Sequence, residues 1–470
     1  MNPLMEIRLS LLLDEGSFCR QGPDHNSELV GGTGMIGGRR VCVIAINPGA
    51  TVPEDPVEIL AQELSLLDLA ESEKIPVIHL ADRPGRVAME TTAIPIHIMR
   101  TFIDCNGAGR VFARFAQLSG VVPRIAVVFS PIATTLTYPV TECDTVVMVH
   151  RAGMSLARPD MVRLMTGDPS PYDEYGGAGM HSEISGTCDK LVFSEEEALQ
   201  WVRHYIAMFP PNYGEIPPCA SPVPPDNGFM GDSCLVPADP DTAFDMHDVI
   251  ESFVDEHSIL EPRARYAREV ITAFARVEGM PVGIVANNPA RRGGILFPET
   301  CRKIAAFLSL CDAFNFPVVF LADTPGFMVG RETEQAAIIH HGALVFSTIA
   351  NLSVPHACIV VRKAYTAGLY AMGGPGFEPE RFMAFPEAHI TIYGSKAIRL
   401  LAKESHMSED EQAQVVDQVN ENCSVWRYQD AGDLDAVIAP EELRGEIVCF
   451  LKNARAQPPG RKEPRRILCL

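Results

Sequence analysis

None of the thirteen cysteines forms a Cys-x-x-Cys pair, no Gly-x-Gly-x-x-Gly or P-loop follows a strand-like run, and no Gly-x-Ser-x-Gly elbow occurs. These absences argue against a zinc ribbon, a Rossmann or P-loop nucleotide site and a serine-hydrolase nucleophile. Basic charge is scarce as well: 39 Lys and Arg against 60 Asp and Glu leave a formal charge of -21. That disfavours a nucleic-acid or anionic-membrane partner, although local basic groups such as Arg39-Arg40, Arg83 with Arg86, and Arg291-Arg292 could still meet a phosphate. No run reaches the ~18 apolar residues of a membrane helix, and the start MNPLMEIRLSLLLDEGSF lacks the pattern of a secretory leader. Irregularly spaced cysteines read as free thiols in a reducing compartment, so the expected location is cytoplasmic.

What is present is a repeated phrase. Ile75–Val87 reads IPVIHLADRPGRV and Phe316–Met328 reads FPVVFLADTPGFM. A second pair follows each: VPRIAVVFSPIATTLTY from Val122 and VPHACIVVRKAYTAGLY from Val354. Two matches in one order argue for a duplicated domain. With 470 residues, 47% apolar, two domains are the default. The expected limits are 1–209 and 246–453. Between them 210–245 is a Pro/Gly-rich linker or irregular crossing segment, and 454–470 is a basic tail without core.

Strand-like runs alternate with helical periods, which implies layered α/β domains. Helices are expected over Pro56–Ser72, with Val57, Leu60, Leu64 and Leu67 on one face, and over Ile94–Leu118 with a break at Asn106-Gly107. Further helices are expected over Glu195–Met208, His247–Val254 and Thr300–Phe314. Strands are expected at Val41–Ile46 and Ile125–Phe129, and a hairpin over Ala273–Asn287 turning at Glu278-Gly279. The spaced glycines of Gly31–Gly38 precede a strand and read as a flexible turn.

A strand that ends in small residues and enters a helix exposes N–H groups able to steady an oxygen anion. Ala367 and Gly368 fit that description, and Gly326 in the facing turn can donate where Pro325 cannot. Close helix–strand packing is the other reading of the same small residues. In the first half Thr134 and Thr135 hold the corresponding place. They are either a decayed, structural turn or a pocket narrowed by two hydroxyls. His340 and His341 allow a general base or plain packing. Glu332 and Glu334 read as helix caps, and His181 sits in a Gly/Ser-rich loop without metal spacing.

Those residues, with RVEGMPVGIVANNP, CDAFNFPVVFLADTPGFMVG, RKAYTAGLYAMGG, AFPEAHITIYG, RPDMVRLMTGD, YGGAGMHSEISGTCDKLVFSEEEAL and LDAVIAPEELR, stand in the order of one family. The chain resembles the carboxyltransferase (β) subunit of biotin-dependent acyl-CoA carboxylases, of the propionyl- and methylcrotonyl-CoA type, over almost its whole length. The resemblance implies two crotonase-type domains, each a spiral of ββα units, in a hexamer with active sites between subunits. It implies an acyl-CoA bound by the first half and carboxybiotin by the second half of a neighbour, with biotin carboxylase and biotin carrier chains as partners and no metal. Carried over by position, Ala367 and Gly368 face biotin, supported by Gly326, with Pro325, Thr366 and Tyr365 around them. The family's Cys-Ala-Gly-Gly-Ala falls on Ile132–Leu136, and its Ser-Gly-Gly-Ala-Arg on Arg83–Val87. Thr134 and Thr135 thus stand at catalytic positions, and Arg83, Gly85, Arg86 and Leu136 at substrate-binding ones. Three of the four usual glycines are lost here, while Arg83 and Arg86 add charge suited to a carboxylate or phosphate. Rival readings are a decarboxylase of malonyl-type thioesters and a non-catalytic scaffold beside an active paralogue.

Overall fold

The computed structural model describes residues 2–22, 27–48, 50, 56–83, 96–226, 228, 235–405, 407–456 and 463–468. The chain forms two compact units, Met1–Pro218 with Arg461–Leu470, and Cys219–Gly460.

Unit 1 holds a seven-stranded sheet: β1 (Cys19–Gln21), β2 (Leu29–Ile36), β3 (Arg39–Ile46), β4 (Val77–Ala81), β5 (Arg124–Val128), β6 (Thr145–Val149) and β7 (Lys190–Val192), in that spatial order. The first two pairings are antiparallel and the rest parallel. Unit 2 repeats the plan with β8 (Val270–Val277), β9 (Met280–Asn287), β10 (Val318–Thr324), β11 (His356–Tyr365), β12 (Arg381–Ala384), β13 (His389–Thr391) and β14 (Ala436–Val437). Here the order is β8-β9-β10-β11-β12-β14, and β13 also pairs with β11. From β3 to β7 and from β9 to β12 each parallel neighbour is the next strand of the sheet along the chain, so the chain winds one way as a spiral. The repeat extends to register. Val77 stands opposite Arg124 as Val318 stands opposite His356, and Cys42 opposite Val77 as Gly283 opposite Val318.

The two hairpins are also twins. Gly37 and Gly38 (φ 54 and 77) and Glu278 and Gly279 (φ 51 and 74) are the paired left-handed residues that a two-residue hairpin needs. The Asp14 carboxylate takes the Gly37 and Gly38 N–H groups at 3.0 and 2.9 Å, and those bonds hold its pKa below the usual range. Asp255 takes those of Glu278 and Gly279 at 2.9 and 2.6 Å. Arg203 then pairs with Asp14 at 3.0 Å and Arg444 with Asp255 at 2.7 Å.

Core residues alternate along the strands. Val319 and Leu321, with Ala357, Ile359 and Val361, meet Met246, Ile250, Ile447 and Phe450 from helices Met246–Glu251 and Leu443–Ala456. Helix Pro298–Ala313 covers the sheet almost wholly buried, and its Lys303 ammonium donates to three carbonyls, of Arg263, Tyr266 and Val270, at 3.0, 2.9 and 2.7 Å.

Several expectations are corrected. Gly31, Gly32 and Gly34 lie inside β2, and only Gly37 and Gly38 turn. A Cβ on Gly31 would stand 2.1 Å from Leu66 Cδ1, and one on Gly32 2.2 Å from the Cys19 carbonyl oxygen. The glycines therefore allow close packing. Helix Pro56–Glu73 buries Glu63, Leu66, Leu67 and Ala70, a face rotated from the expected one. The Ile94–Leu118 run forms Ile96–Ile103 and Ala108–Gln117, broken as expected. The tail is not free of core: Ala454 is buried, and the Ile467 N–H donates to Ser119 Oγ at 3.0 Å. The 210–245 segment is irregular but held. Tyr213 bonds the Val121 carbonyl in unit 1, while the Asp239, Pro240 and Thr242 carbonyls receive Arg362 and Lys363 in unit 2.

Candidate active site

Each unit carries a sharp bend where a strand end enters a short helix. Thr366 (φ 51) follows β11 and precedes helix Ala367–Ala371. Thr134 (φ 60) opens the short helix Thr134–Leu136. A β-branched residue at positive φ is strained by roughly 1–3 kcal/mol, so both bends are held by their surroundings. After each threonine come two N–H groups that meet no acceptor among the described residues: Ala367 and Gly368 in unit 2, Thr135 and Leu136 in unit 1. Tyr370 and Tyr138, four residues past the threonines, are 48% and 42% exposed. The sequence expectation put the unit 1 donors at Thr134 and Thr135. The structure gives Thr134 the strained place of Thr366, which moves the matching pair to Thr135 and Leu136.

Gly326 is corrected as a donor, because its N–H already bonds Thr324 Oγ1 at 3.1 Å. Its small size has another use. A Cβ on Gly368 would lie 2.8 Å from Gly326 Cα and 2.9 Å from Thr324 Cγ2, so two backbones touch beneath the bend. Pro325 is exposed. Tyr365 ends β11 with its ring packed on Gly394, and burial pushes its phenol up to about 12. A cavity of about 490 Å³ opens beside the bend, lined by Ala364, Thr366, Leu369, Tyr370, Ile390 and Tyr428 among others. Under it, Asp323 at the end of β10 pairs with Arg362 at 2.9 Å, and Lys363 stands 3.9 Å away.

In unit 1 the side chain of Arg83 is exposed, while its N–H is held by Asp82 Oδ1 at 2.6 Å and Ser130 Oγ at 2.9 Å. Asp82 also pairs at 2.7 Å with Arg8, which reaches Glu195 from helix Pro3–Leu12. Gly85 and Arg86 lie outside the described residues. His181 is tied at both ring nitrogens, to Met154 O at 2.8 Å and Ser185 Oγ at 2.9 Å, which makes it structural. Among the described residues no cluster of His, Cys, Asp and Glu could hold a metal ion.

Sequence reading missed two groups. One is the Asp323 cluster, which looks in sequence like an ordinary strand end. The other is Glu63, buried 3.9 Å from His79. The apolar run around His79 hid it, and the only signal was His79 standing where the second copy has Phe320.

Residues 26–466 match the family model described as the carboxyl transferase domain. The uncharacterized carboxylase YngE of Bacillus subtilis (strain 168) is 38% identical over 95% of this chain and 89% of its own length. The propionyl-CoA carboxylase beta chain of Saccharopolyspora erythraea is 30% identical over 97% of this chain and 88% of its own. The transcarboxylase 12S crystal structure with hydrolysed methylmalonyl-CoA bound, described as a hexamer assembly, superposes with a TM-score of 0.87 at 27% identity, covering 98% of this chain and 92% of that one. Its crotonase-like carboxyltransferase fold accounts for the two spiral units. By sequence match and by fold, the chain belongs to the carboxyl transferase domain family.

Proposed function

We propose that this chain is the carboxyltransferase subunit of a biotin-dependent acyl-CoA carboxylase, and that its two strained bends hold the carbonyl oxygens of the two reactants. The observation that supports it is the twinning: a positive-φ threonine followed by two free N–H groups occurs at the same place in both units. In this reading Thr135 and Leu136 donate to the thioester oxygen, which gains charge as the α-proton leaves. Ala367 and Gly368 donate to the ureido oxygen of biotin. Two neutral donors beside a largely apolar cavity suit an uncharged ureido group. When bound, carboxybiotin on a carrier chain supplies the carboxyl group and the base. Each backbone donor is worth roughly 3 kcal/mol of transition-state stabilisation in a water-poor site. No titratable side chain of the protein needs to move a proton. The relatives named for propionyl-CoA carboxylase and the hexameric 12S protein support an acyl-CoA substrate and an oligomer of similar kind.

The test runs the reaction backwards. Purified chain is mixed with methylmalonyl-CoA or malonyl-CoA, with and without free biotin, and decarboxylation is followed for wild type and Gly368→Ala. Biotin-dependent loss of the carboxyl group that falls at least ~100-fold in the variant is expected. Biotin-independent CO2 release would instead indicate a decarboxylase, and silence with every thioester a scaffold.

A further inference from the structure

Two consecutive residues of a regular strand point to opposite faces of the sheet. Arg362 and Lys363 break that rule, since both approach one carboxylate, Asp323, at 2.9 and 3.9 Å. The cause is an irregularity in β11. Ala322 pairs with Val360 but Thr324 pairs with Ala364, so Asp323 alone stands opposite Val361, Arg362 and Lys363. Two extra residues are looped into β11 just before the bend. Straightening them would shift Thr366 along the strand by roughly 7 Å, well beyond what an amide aimed at one oxygen tolerates.

What fills the irregularity is charge. The side chains of Asp323 and Arg362 are 0% and 2% exposed. Arg362 also donates to the Asp239 and Thr242 carbonyls at 2.9 and 2.7 Å, and Lys363 to the Pro240 carbonyl at 2.7 Å. Asp323 Oδ1 is buried with no hydrogen-bond partner. A buried ion cluster with an unsatisfied oxygen is a poor source of stability compared with apolar packing. The first unit solves the same place differently: the residues matching Arg362 and Lys363 there are Ser130 and Pro131, and the matching carboxylate, Asp82, takes its buried cation from the distant Arg8 and is bonded by Ser130 and the Arg83 N–H.

We propose that Asp323 is a positioning residue: with Arg362 and Lys363 it locks the irregularity in β11 and so sets the aim of the Ala367 and Gly368 N–H groups. This rests on the function proposed above. The groups facing Asp323 are Arg362, Lys363 and Tyr365 from β11, and Asp239 and Asp241 on the neighbouring segment face Lys363. Burial, opposed by the two cations, raises the Asp323 carboxyl to about 6. Below that pH it protonates, Arg362 loses its counter-charge, and the lock loosens.

The experiment is a pH profile of steady-state carboxyl transfer for wild type and Asp323→Asn. In the variant kcat falls roughly 100-fold, the cost of about 1 Å of misplacement, while KM for the thioester, bound elsewhere, stays within about 2-fold. The wild-type acid limb near pH 6 disappears in the variant. Arg362→Lys retains more kcat than Arg362→Met, which carries the test should Asp323→Asn fail to fold. Wild-type kcat with an unchanged acid limb in Asp323→Asn, or equal activity in the two Arg362 variants, overturns the inference. Hydrogen exchange of the 362–372 peptide is read in parallel. Faster exchange in Asp323→Asn is expected and unchanged exchange overturns the lock, whether or not any thioester proves to be a substrate.

Discussion

A single buried side chain can oppose the fold that contains it. Glu63 and His79 face each other at 3.9 Å inside unit 1, yet they are not an ion pair at neutral pH. Burial pushes the Glu63 carboxyl up to about 7 and the His79 imidazole down to about 4, so both favour their neutral forms. The linkage signs are opposite. A carboxyl whose folded pKa is raised loses its contribution as pH climbs from its unfolded value, near 4.5, through about 7. An imidazole whose folded pKa is depressed loses its contribution as pH falls from about 6.5 towards 4. Glu63 therefore costs stability on the order of 3 kcal/mol at pH 7 relative to pH 4. Glu63→Gln should flatten the fall in unfolding free energy between pH 5 and 7, measured by urea titration at each pH. An unchanged slope would show that Glu63 titrates normally.

At the scale of elements, the same device recurs where sequence similarity is slight. Asp14 and Asp255 each cap a hairpin turn and take an arginine from the helix that closes the unit, Arg203 or Arg444. Burial separates them: the side chain of Asp14 is 30% exposed and that of Asp255 3%. Losing a buried charged acceptor leaves two N–H groups and a guanidinium unsatisfied, whereas water replaces an exposed one. Asp255→Ala is expected to cost about 3 kcal/mol and Asp14→Ala about 1 kcal/mol. Equal losses in thermal unfolding would refute the ranking. The helices near 56–73, 195–208 and 298–313 and the hairpin turning at Glu278-Gly279 were legible from local pattern, because periodicity and paired turn residues act within a few positions. The glycines of β2 were misread because what they accommodate, Leu66 and the Cys19 backbone, lies far away in sequence.

For the whole molecule, charge poses the sharper problem. A net charge of -21 repels an anionic thioester at long range, so binding needs a local cation. Arg83, exposed past the end of β4 with its N–H fixed by Ser130, is the described candidate beside the Thr134 bend. Arg83→Ala is expected to raise KM for a CoA thioester about 10-fold, the worth of one charge-assisted contact, without lowering the melting temperature. An unchanged KM would assign the contact elsewhere. The repeated Leu-Ala-Asp-x-Pro-Gly phrase and the strand–helix alternation determined by themselves that the chain is a duplicated, layered α/β protein, while the spiral was implied only by the family resemblance. The phrase and the alternation did so because strand periodicity and turn chemistry are written locally. Which amides stand free was decided only by the tertiary structure: Thr134 and Thr366 adopt positive φ, Gly326 spends its N–H on Thr324, and β11 takes up two extra residues against Asp323. The Gly326 bond spans only two residues, but the Thr324 hydroxyl that accepts it is oriented by donating to the distant Gly294 carbonyl at 2.8 Å, and the β11 irregularity likewise rests on groups from distant parts of the chain, where burial and backbone contact set the conformation.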